Sequence, residues 1–306
     1  MADLNTDLGK IQLKNPVMTA SGTFGYGKEY DEFFPIRDLG AVVVKGIAPF
    51  ESPGNPTPRI AEVSSGMLNA IGLQGPGVDK FIKEEDYLPY LRQSGADVIV
   101  NIWGRTIDEY AETAYRLNGV ATDLSALEIN ISCPNVKEGG ASFGTDIKSA
   151  AEVVKAVRAS TELPLITKLS PNFTSVGDFA KVVVDAGSDM ISLINTLPAM
   201  AIDIHTRKPK IANVFGGLSG PAIKPVALKM VYEVSKAVDV PIIGMGGISS
   251  YEDALEFLIA GASAVAVGTA IFSNPYAPVN IVRDIEIYLD NNGIDKVSDI
   301  VGSVKF

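Results

Sequence analysis

The sequence has few of the residues that mark metal centres and disulfides. Its 306 residues include one cysteine, one histidine and one tryptophan. A single cysteine excludes an internal disulfide and leaves no set of thiolates for an iron–sulfur cluster in this chain. We therefore expect no metal site within it.

Positive charge is also scarce, and long apolar runs are missing. Lysine and arginine together number 26 against 36 acidic residues, which gives a formal net charge of −10 without a basic stripe for nucleic acid. No apolar run reaches the roughly 18 residues of a membrane helix. The polar start, Met1–Lys10, does not resemble a signal peptide. These features predict a soluble, cytoplasmic protein that binds neither nucleic acid nor a membrane.

Short apolar runs, most of them rich in valine and isoleucine, recur along the chain. The eight runs are Val17–Ala20, Ala41–Val44, Val98–Ile102, Leu127–Ile131, Leu165–Leu169, Met190–Ile194, Val240–Met245 and Ala264–Val267. Most are too short for independent helices. Fully apolar runs of this length are typical of strands buried on both faces of a parallel sheet.

Segments with apolar residues at helical spacing lie between these strands. They are Asp108–Leu117, Ile147–Ala159, Val176–Ala186, Ile223–Ala237, Glu252–Ala260 and Val279–Asn291. Ser175-x-x-Asp178 and Ser250-x-x-Asp253 predict capping boxes at two helix starts. The alternation predicts a single (β/α)8 barrel domain, an α/β fold covering residues 1–306, rather than an open doubly wound sheet.

Three segments stand outside this alternation. Leu4–Leu8 and Ile11–Leu13 flank Gly9-Lys10, which predicts an N-terminal β-hairpin under the barrel. Phe50–Gly77 and Leu197–Gly220 follow the second and sixth strands and are long for connections. We expect them to be long βα loops that cover the C-terminal mouth.

Every predicted strand ends in a polar residue or in glycine. These ends are Ser21-Gly22, Lys45-Gly46, Asn101, Asn130 with Cys133, Lys168, Asn195-Thr196, Gly246-Gly247 and Gly268-Thr269. Barrels carry their active sites at the C-terminal ends of the strands. The eight ends together therefore predict a functional site at the mouth.

The types of residue at these ends suggest an anionic ligand. The glycine turns after the seventh and eighth strands can bind phosphate through backbone N–H groups, although glycine also serves tight turns. Lys45 and Lys168 follow apolar strands, so each ammonium needs an anionic partner unless its side chain reaches solvent. A phosphate, a substrate carboxylate or a reduced cofactor would satisfy them.

Cys133 is the most reactive side chain near a strand end. Its place before Pro134 and a glycine loop favours exposure to the pocket, although a free cysteine is often a small buried hydrophobe. His205, the only histidine, lies far away in sequence, so a Cys–His hydrolase is poorly supported. Trp103 is expected to pack rather than to react.

Four asparagines can supply paired donors and acceptors to a planar heterocycle. They are Asn69, Asn130, Asn135 and Asn195. Structural hydrogen bonds between amides and the backbone are the alternative interpretation of each.

Taken in order, these motifs resemble the dihydroorotate dehydrogenase family. The resemblance is carried by Ser21, Lys45-Gly46, Asn69-Ala-Ile-Gly-Leu73, Asn130-Ile-Ser-Cys-Pro-Asn135, Lys168, Asn195-Thr196, Gly246-Gly247 and Gly268-Thr269. It extends from about Leu8 to Tyr288. It implies an FMN-containing barrel that oxidises (S)-dihydroorotate to orotate in de novo pyrimidine biosynthesis.

The same resemblance separates the branches of the family. Cys133 stands where the membrane-bound, quinone-using branch has serine. The continuation Gly139-Gly140-x-x-Phe143-Gly144 resembles the NAD-dependent class 1B branch rather than the fumarate-using class 1A branch. Class 1B implies an electron-transfer subunit with FAD and a [2Fe–2S] cluster. It also implies a heterotetramer of two catalytic and two electron-transfer subunits, built on a catalytic homodimer.

Site residues carry over by position from the resemblance. The implied FMN contacts are Ser21, Lys45, Gly46, Asn101, Asn130, Lys168, Ile194, Gly220, Gly246, Gly247, Gly268 and Thr269. The implied substrate contacts are Lys45, Asn69, Ala70, Ile71, Gly72, Leu73, Asn130, Asn195 and Thr196. Cys133 would take the C5 proton while the C6 hydride passes to flavin N5. Lys168 would stabilise negative charge at N1–C2=O of the reduced flavin.

Other functions stay open at this point. The class 1A enzyme and a related dihydropyrimidine dehydrogenase acting on dihydrouracil would use the same flavin chemistry. A Schiff-base aldolase would use Lys168 as its nucleophile, since lysines at barrel strand ends perform that chemistry. A binding barrel without catalysis would tolerate the loss of Cys133.

Overall fold

A closed eight-stranded parallel barrel forms the centre of the protein. The computed structural model describes residues 1–131, 146–172 and 175–306. Its strands are β1 (Thr6–Asp7), β2 (Gln12–Leu13), β3 (Val17–Thr19), β4 (Val42–Ile47), β5 (Ile60–Val63), β6 (Gly66–Asn69), β7 (Val98–Ile102), β8 (Ala126–Asn130), β9 (Leu165–Leu169), β10 (Met190–Leu193), β11 (Leu197–Ala199), β12 (Ile202–Asp203), β13 (Lys208–Pro209), β14 (Gly216–Ser219), β15 (Ile242–Met245) and β16 (Ala264–Val267).

The barrel strands pair in the order β3-β16-β15-β10-β9-β8-β7-β4. A parallel bridge between Met18 and Ala41 joins the two ends of this series and closes the ring. The predicted (β/α)8 barrel is therefore confirmed, and each of the eight predicted strands coincides with a barrel strand. Closure pairs the backbone of every strand on both sides and places all eight C-terminal ends at one mouth.

Helices surround the barrel between successive strands. They are α1 (Val78–Lys83), α2 (Leu88–Ser94), α3 (Ile107–Asn118), α4 (Ile147–Ser160), α5 (Val176–Asp185), α6 (Lys224–Ser235), α7 (Tyr251–Ala260), α8 (Ala270–Ser273) and α9 (Ala277–Asn291). The six predicted helices correspond to α3, α4, α5, α6, α7 and α9. Across the three described ranges, no helix is both long and apolar enough to cross a membrane.

One of the two predicted capping boxes forms. The Ser250 side chain accepts from the backbone N–H of Asp253 at the start of α7, and the Asp253 carboxylate accepts from the backbone of Ser250. The prediction for Ser175 is wrong. There the hydroxyl lies 2.6 Å from a carboxylate oxygen of Asp178, and no side chain caps the helix.

The N-terminal hairpin closes the bottom of the barrel, as predicted. β1 and β2 pair antiparallel. Leu8, Ile11 and Leu13 are buried in one cluster with inward-facing residues from the early positions of the barrel strands, such as Ile99 and Ile166. The lower barrel is therefore a packed apolar core, while the mouth at the other end is left for polar side chains.

The two long insertions are more ordered than expected. Instead of irregular loops, they supply the strands of a four-stranded antiparallel sheet in the order β11-β14-β6-β5. β12 and β13 form a further antiparallel pair within the second insertion. Because these strands belong to connections that follow β4 and β10, the sheet stands at the C-terminal side of the barrel.

Truncating the buried hairpin should destabilise the whole barrel. Leu13 is 1% exposed, so Leu13→Ala leaves a cavity, and we expect it to lower the free energy of unfolding by about 2–5 kcal/mol. Ile287→Ala on α9 is the matched control because Ile287 is 49% exposed; its cost should be below about 1 kcal/mol. Denaturant unfolding followed by fluorescence measures both. Equal costs would show that the hairpin is not part of the core.

Candidate active site

A buried carboxylate lies among inward-facing polar side chains in the upper barrel. Glu128 on β8 accepts a hydrogen bond from Asn101 Nδ2 at 2.6 Å and another from Ser192 Oγ at 2.8 Å. Lys168 Nζ on β9 lies 3.7 Å from the same carboxylate and donates to Ser21 Oγ at 3.3 Å. Four barrel strands and the loop after β3 thus contribute to one polar network.

Burial makes this network expensive unless its charges are paired. Glu128 is 2% exposed and Lys168 is 6% exposed. A buried charge without a partner costs far more than one that is paired and hydrogen-bonded. Lys168 meets the expectation of an anionic partner, but that partner includes a carboxylate of this chain. Sequence reasoning assigned no role to Glu128, although a charged residue in an otherwise apolar run was a visible signal.

Amide side chains occupy the next position toward the mouth. Asn195 Nδ2 donates to Asn130 Oδ1 at 3.4 Å, and Asn195 Oδ1 accepts from the backbone N–H of Thr196 at 2.8 Å. The hydroxyl of Tyr110, from α3, donates to the backbone carbonyl of Asn130 at 2.7 Å. The peptide bond between Leu193 and Ile194 just before this group is cis. Two predicted asparagines are therefore in contact.

The predicted substrate loop, Asn69–Leu73, is held by its own insertion. Asn55 donates two hydrogen bonds to this loop: its backbone N–H donates to the carbonyl of Ile71 and its side chain donates to the carbonyl of Ala70, both at 2.9 Å. Gly72 has a φ of 77°, and a Cβ there would lie 2.5 Å from the Asn55 side chain. Glycine is required at this position because the backbone is left-handed and closely packed.

Lys45 is half-buried in the second half of β4, close to another cation. Burial lowers the pKa of Lys45 below its usual range, and the Arg59 guanidinium lowers it further, while Glu29 acts in the opposite direction. Arg59 also donates to Gln74 Oε1 at 2.6 Å. Arg59 is a second cation beside the predicted substrate loop that the sequence reasoning missed.

Glycines from two connections meet at the other side of the mouth, where a third connection contributes Thr269. A Cβ on Gly247 would lie 2.9 Å from the carbonyl oxygen of Gly220, and one on Gly246 would lie 3.4 Å from the Ile194 side chain. A cavity of about 290 Å³ is lined by Gly220, Gly247 and Thr269. This is the close backbone approach that a phosphate cradle needs.

Contacts join these groups into one site. Gly46 lies against Asn101 and Trp103, because a Cβ there would be 3.0 Å from Asn101 Oδ1 and 2.9 Å from the Trp103 ring. The backbone carbonyl of Gly217 accepts from Asn69 Nδ2, and a Cβ on Gly217 would overlap the Thr196 hydroxyl.

Gly268 lies close to the residue before Ser21, because a Cβ placed on Gly268 would be 3.6 Å from the Ala20 side chain. The predicted cofactor and substrate residues in the described ranges thus lie on the barrel strands and on the connections at the C-terminal side, and their binding roles stay predictions.

Some predicted features lie outside the described residues or away from chemistry. Cys133, Asn135 and the Gly139–Gly144 motif fall within residues 132–145, outside the described part of the chain. His205 is exposed, and its backbone N–H donates to Asp203 in the β12–β13 connection. Trp103 is buried and packs edge-on against Phe50 with ring centroids 5.5 Å apart.

Comparison with known proteins identifies close relatives. The family model described as dihydroorotate dehydrogenase matches residues 3–289. A protein of Alkaliphilus metalliredigens is 56% identical over 302 residues, covering 99% of each chain. One of Geotalea daltonii is 56% identical over 303 residues, covering 99% of this chain and 98% of its own. Both are named dihydroorotate dehydrogenase B (NAD(+)), catalytic subunit.

A solved structure shares the fold. The dihydroorotate dehydrogenase of Eimeria tenella, crystallised with ferulenol, superposes with a TM-score of 0.80 at 24% identity. The match covers 98% of this chain and 88% of that one.

The low pKa of Lys45 can be tested by acylation across a pH series. An amine reacts when deprotonated, so the pH of half-maximal reaction at Lys45 should lie below that at Lys80, whose pKa is raised by its hydrogen bond to Glu51. Arg59→Gln should move the Lys45 midpoint upward by removing a repelling cation, and Glu29→Gln should move it downward. Peptide mass spectrometry gives each midpoint. Shifts of the same sign in both variants would contradict the assignment.

Proposed function

Since the chain belongs to the dihydroorotate dehydrogenase family, we propose that it oxidises (S)-dihydroorotate to orotate as the FMN-binding catalytic subunit of the NAD-dependent enzyme. The observation that carries the proposal is the single region in which the cations, the paired amides and the glycine cradle meet, in a chain 56% identical to a subunit of that name. The reaction belongs to de novo pyrimidine biosynthesis. Residues 1–306 would form one domain.

The substrate side of the mouth suits a planar ring with a carboxylate. Lys45 and nearby Arg59 offer positive charge beside the Asn69–Leu73 loop. Asn130 and Asn195 offer amide donors and acceptors that match the carbonyl and N–H edges of a dihydropyrimidine. Dihydrouracil has no carboxylate for the cations to recognise, so the site favours dihydroorotate.

The opposite side suits FMN, for which the residues present are a good fit. Gly220, Gly246, Gly247 and Thr269 supply a backbone cradle for its phosphate. FMN, when bound, supplies the two-electron acceptor. Lys168, held by Ser21 and Glu128, offers a preorganised positive charge for the negative charge that develops on reduction.

Cys133 is the proposed base. It lies three positions after Asn130, the last residue of β8, and two after the buried Ile131. A thiolate at this place would take the proton released as the hydride leaves the substrate. The hypothesis that Lys168 is the nucleophile of a Schiff-base aldolase is disfavoured, because a lysine paired with a buried carboxylate is a poor nucleophile.

Electrons must then leave the catalytic subunit. We propose a partner subunit with FAD and a [2Fe–2S] cluster, in a heterotetramer built on a homodimer of this chain. The printed name of the relatives, a catalytic subunit of an NAD-dependent enzyme, supports this assignment. The single cysteine of this chain also requires the cluster to lie elsewhere. A cytoplasmic location stays a prediction.

An anaerobic visible spectrum tests the reaction. The purified protein should be yellow, and dihydroorotate should bleach its flavin band. Cys133→Ser should retain the yellow cofactor but reduce it about 10²–10⁴-fold more slowly, which is the usual contribution of a positioned base. Stopped-flow absorbance measures both rates. Reduction of the variant at the wild-type rate would reject the base, and a colourless protein that takes up no added FMN would reject the proposed function.

The electron acceptor is tested separately. The purified catalytic chain should reduce artificial dyes with dihydroorotate but should reduce NAD very slowly, because the relay to NAD lies on the partner. Mixing with the electron-transfer subunit should restore NAD reduction, followed at the absorbance of NADH. Efficient NAD reduction by the lone chain would contradict the partner. Efficient fumarate reduction would instead favour the class 1A reaction.

A further inference from the structure

Glu128 is a buried charge that has no part in the proposed reaction beyond its contact with Lys168. It lies on β8 two residues before Asn130, so the alternation of side chains turns both residues toward the barrel interior. Leu127 and Ile129 of the same strand belong to the outer cluster beneath the helices. An apolar side chain would pack in the interior at lower cost, as Ala126 does. The carboxylate therefore calls for a functional explanation.

The side chains that contact Glu128 are hydrogen-bond donors. Asn101 Nδ2, at 2.6 Å, and Lys168 Nζ, at 3.7 Å, can only donate to it. Ser192 Oγ, at 2.8 Å, completes the set on the other oxygen. Each oxygen thus has a donor, and the Asn101 and Ser192 bonds fix the carboxylate in a position independent of Lys168.

The fixed carboxylate acts on Lys168 in two ways. It restrains the ammonium at a point where Nζ also reaches Ser21 Oγ. It also offsets part of the ammonium charge, because two opposite charges this close in a buried site interact strongly. Any anion that forms beside Lys168 therefore meets less positive charge than an unopposed lysine would provide.

We infer that Glu128 is a positioning residue that holds Lys168 and lowers the reduction potential of the flavin bound beside it. The inference rests on the proposed function, in which Lys168 stabilises negative charge on reduced FMN. An unopposed lysine would stabilise that charge further and make the flavin retain its electrons. Glu128 limits this stabilisation, so that the electrons remain available to a low-potential acceptor in the partner.

The test is the two-electron reduction potential of the bound FMN in variants of the complete chain. In Glu128→Gln the side chain keeps its size but loses its charge. At a fixed solution potential, the ratio of reduced to oxidised FMN in this variant should be at least about tenfold higher than in the wild type, which corresponds to about +30 mV for a two-electron couple. Ser192→Ala is the matched control. It removes one hydrogen bond to Glu128 but leaves the charge, so its ratio should change less than about threefold.

A double variant shows whether Glu128 acts through Lys168. The shift caused by Glu128→Gln should fall to less than half when it is introduced into Lys168→Gln, because coupled residues give non-additive effects. Glu128→Asp keeps the charge but withdraws it by one methylene from Nζ, so its potential should lie between those of wild type and Glu128→Gln. If Glu128→Gln does not fold, the Glu128→Asp potential decides, and a wild-type value overturns the inference.

Other results separate the possible failures. An unchanged potential in Glu128→Gln, or an equal shift in Ser192→Ala, would overturn the inference and leave Glu128 a purely structural residue. Wild-type FMN that dihydroorotate cannot reduce would instead overturn the proposed function. If Glu128→Gln shifts the FMN potential as much in the Lys168→Gln background as in the wild type, Glu128 does not act through Lys168, and that part of the inference is rejected.

Discussion

Successive side chains in each barrel strand point alternately toward the helices and toward the interior, and this constraint decides what can meet at the mouth. In β8 it sends Leu127 and Ile129 outward to the helices, while Glu128 and Asn130 face inward. β9 follows the same rule with Ile166 and Lys168. A shift of one residue in either strand would bury its polar side chains against helices and leave the site without them.

The interior of the barrel is divided along its axis by this arrangement. Its lower part is closed by the hairpin and filled with apolar side chains, so water and charge are excluded there. The upper part holds a carboxylate, an ammonium and their hydrogen-bond partners. Charges can be maintained in such a place only because they neutralise one another, and the same pairing tunes the cation that a cofactor would meet. The stability of the upper barrel and the chemistry proposed for its mouth therefore depend on the same contacts between the carboxylate, the ammonium and their hydrogen-bond partners.

Much of this fold could be predicted, because strands that are buried in a parallel sheet consist of continuous apolar runs in the sequence. The sheet of β5, β6, β11 and β14 could not be predicted, because its strands are short, all but β5 contain glycine or proline, and the pairing of β6 with β14 joins segments far apart in sequence. Ser175 shows the limit of local motifs. It has the spacing of a capping box, as Ser250 has, but its hydroxyl bonds the Asp178 side chain instead.

The sequence by itself determined the number and chain order of the eight barrel strands, the polar character of their ends and the resemblance that pointed to a flavin site. Those features depend on local composition and spacing, which are visible directly in the amino-acid sequence. The tertiary structure alone decided the partners: Lys168 meets Ser21 across 147 positions, and Glu128 meets Ser192 across 64. Such pairings follow from barrel closure and strand register, and no local pattern records them. Hence Lys168 could be predicted as a cation in need of an anion, whereas its pairing with the Glu128 carboxylate became visible only in the folded barrel.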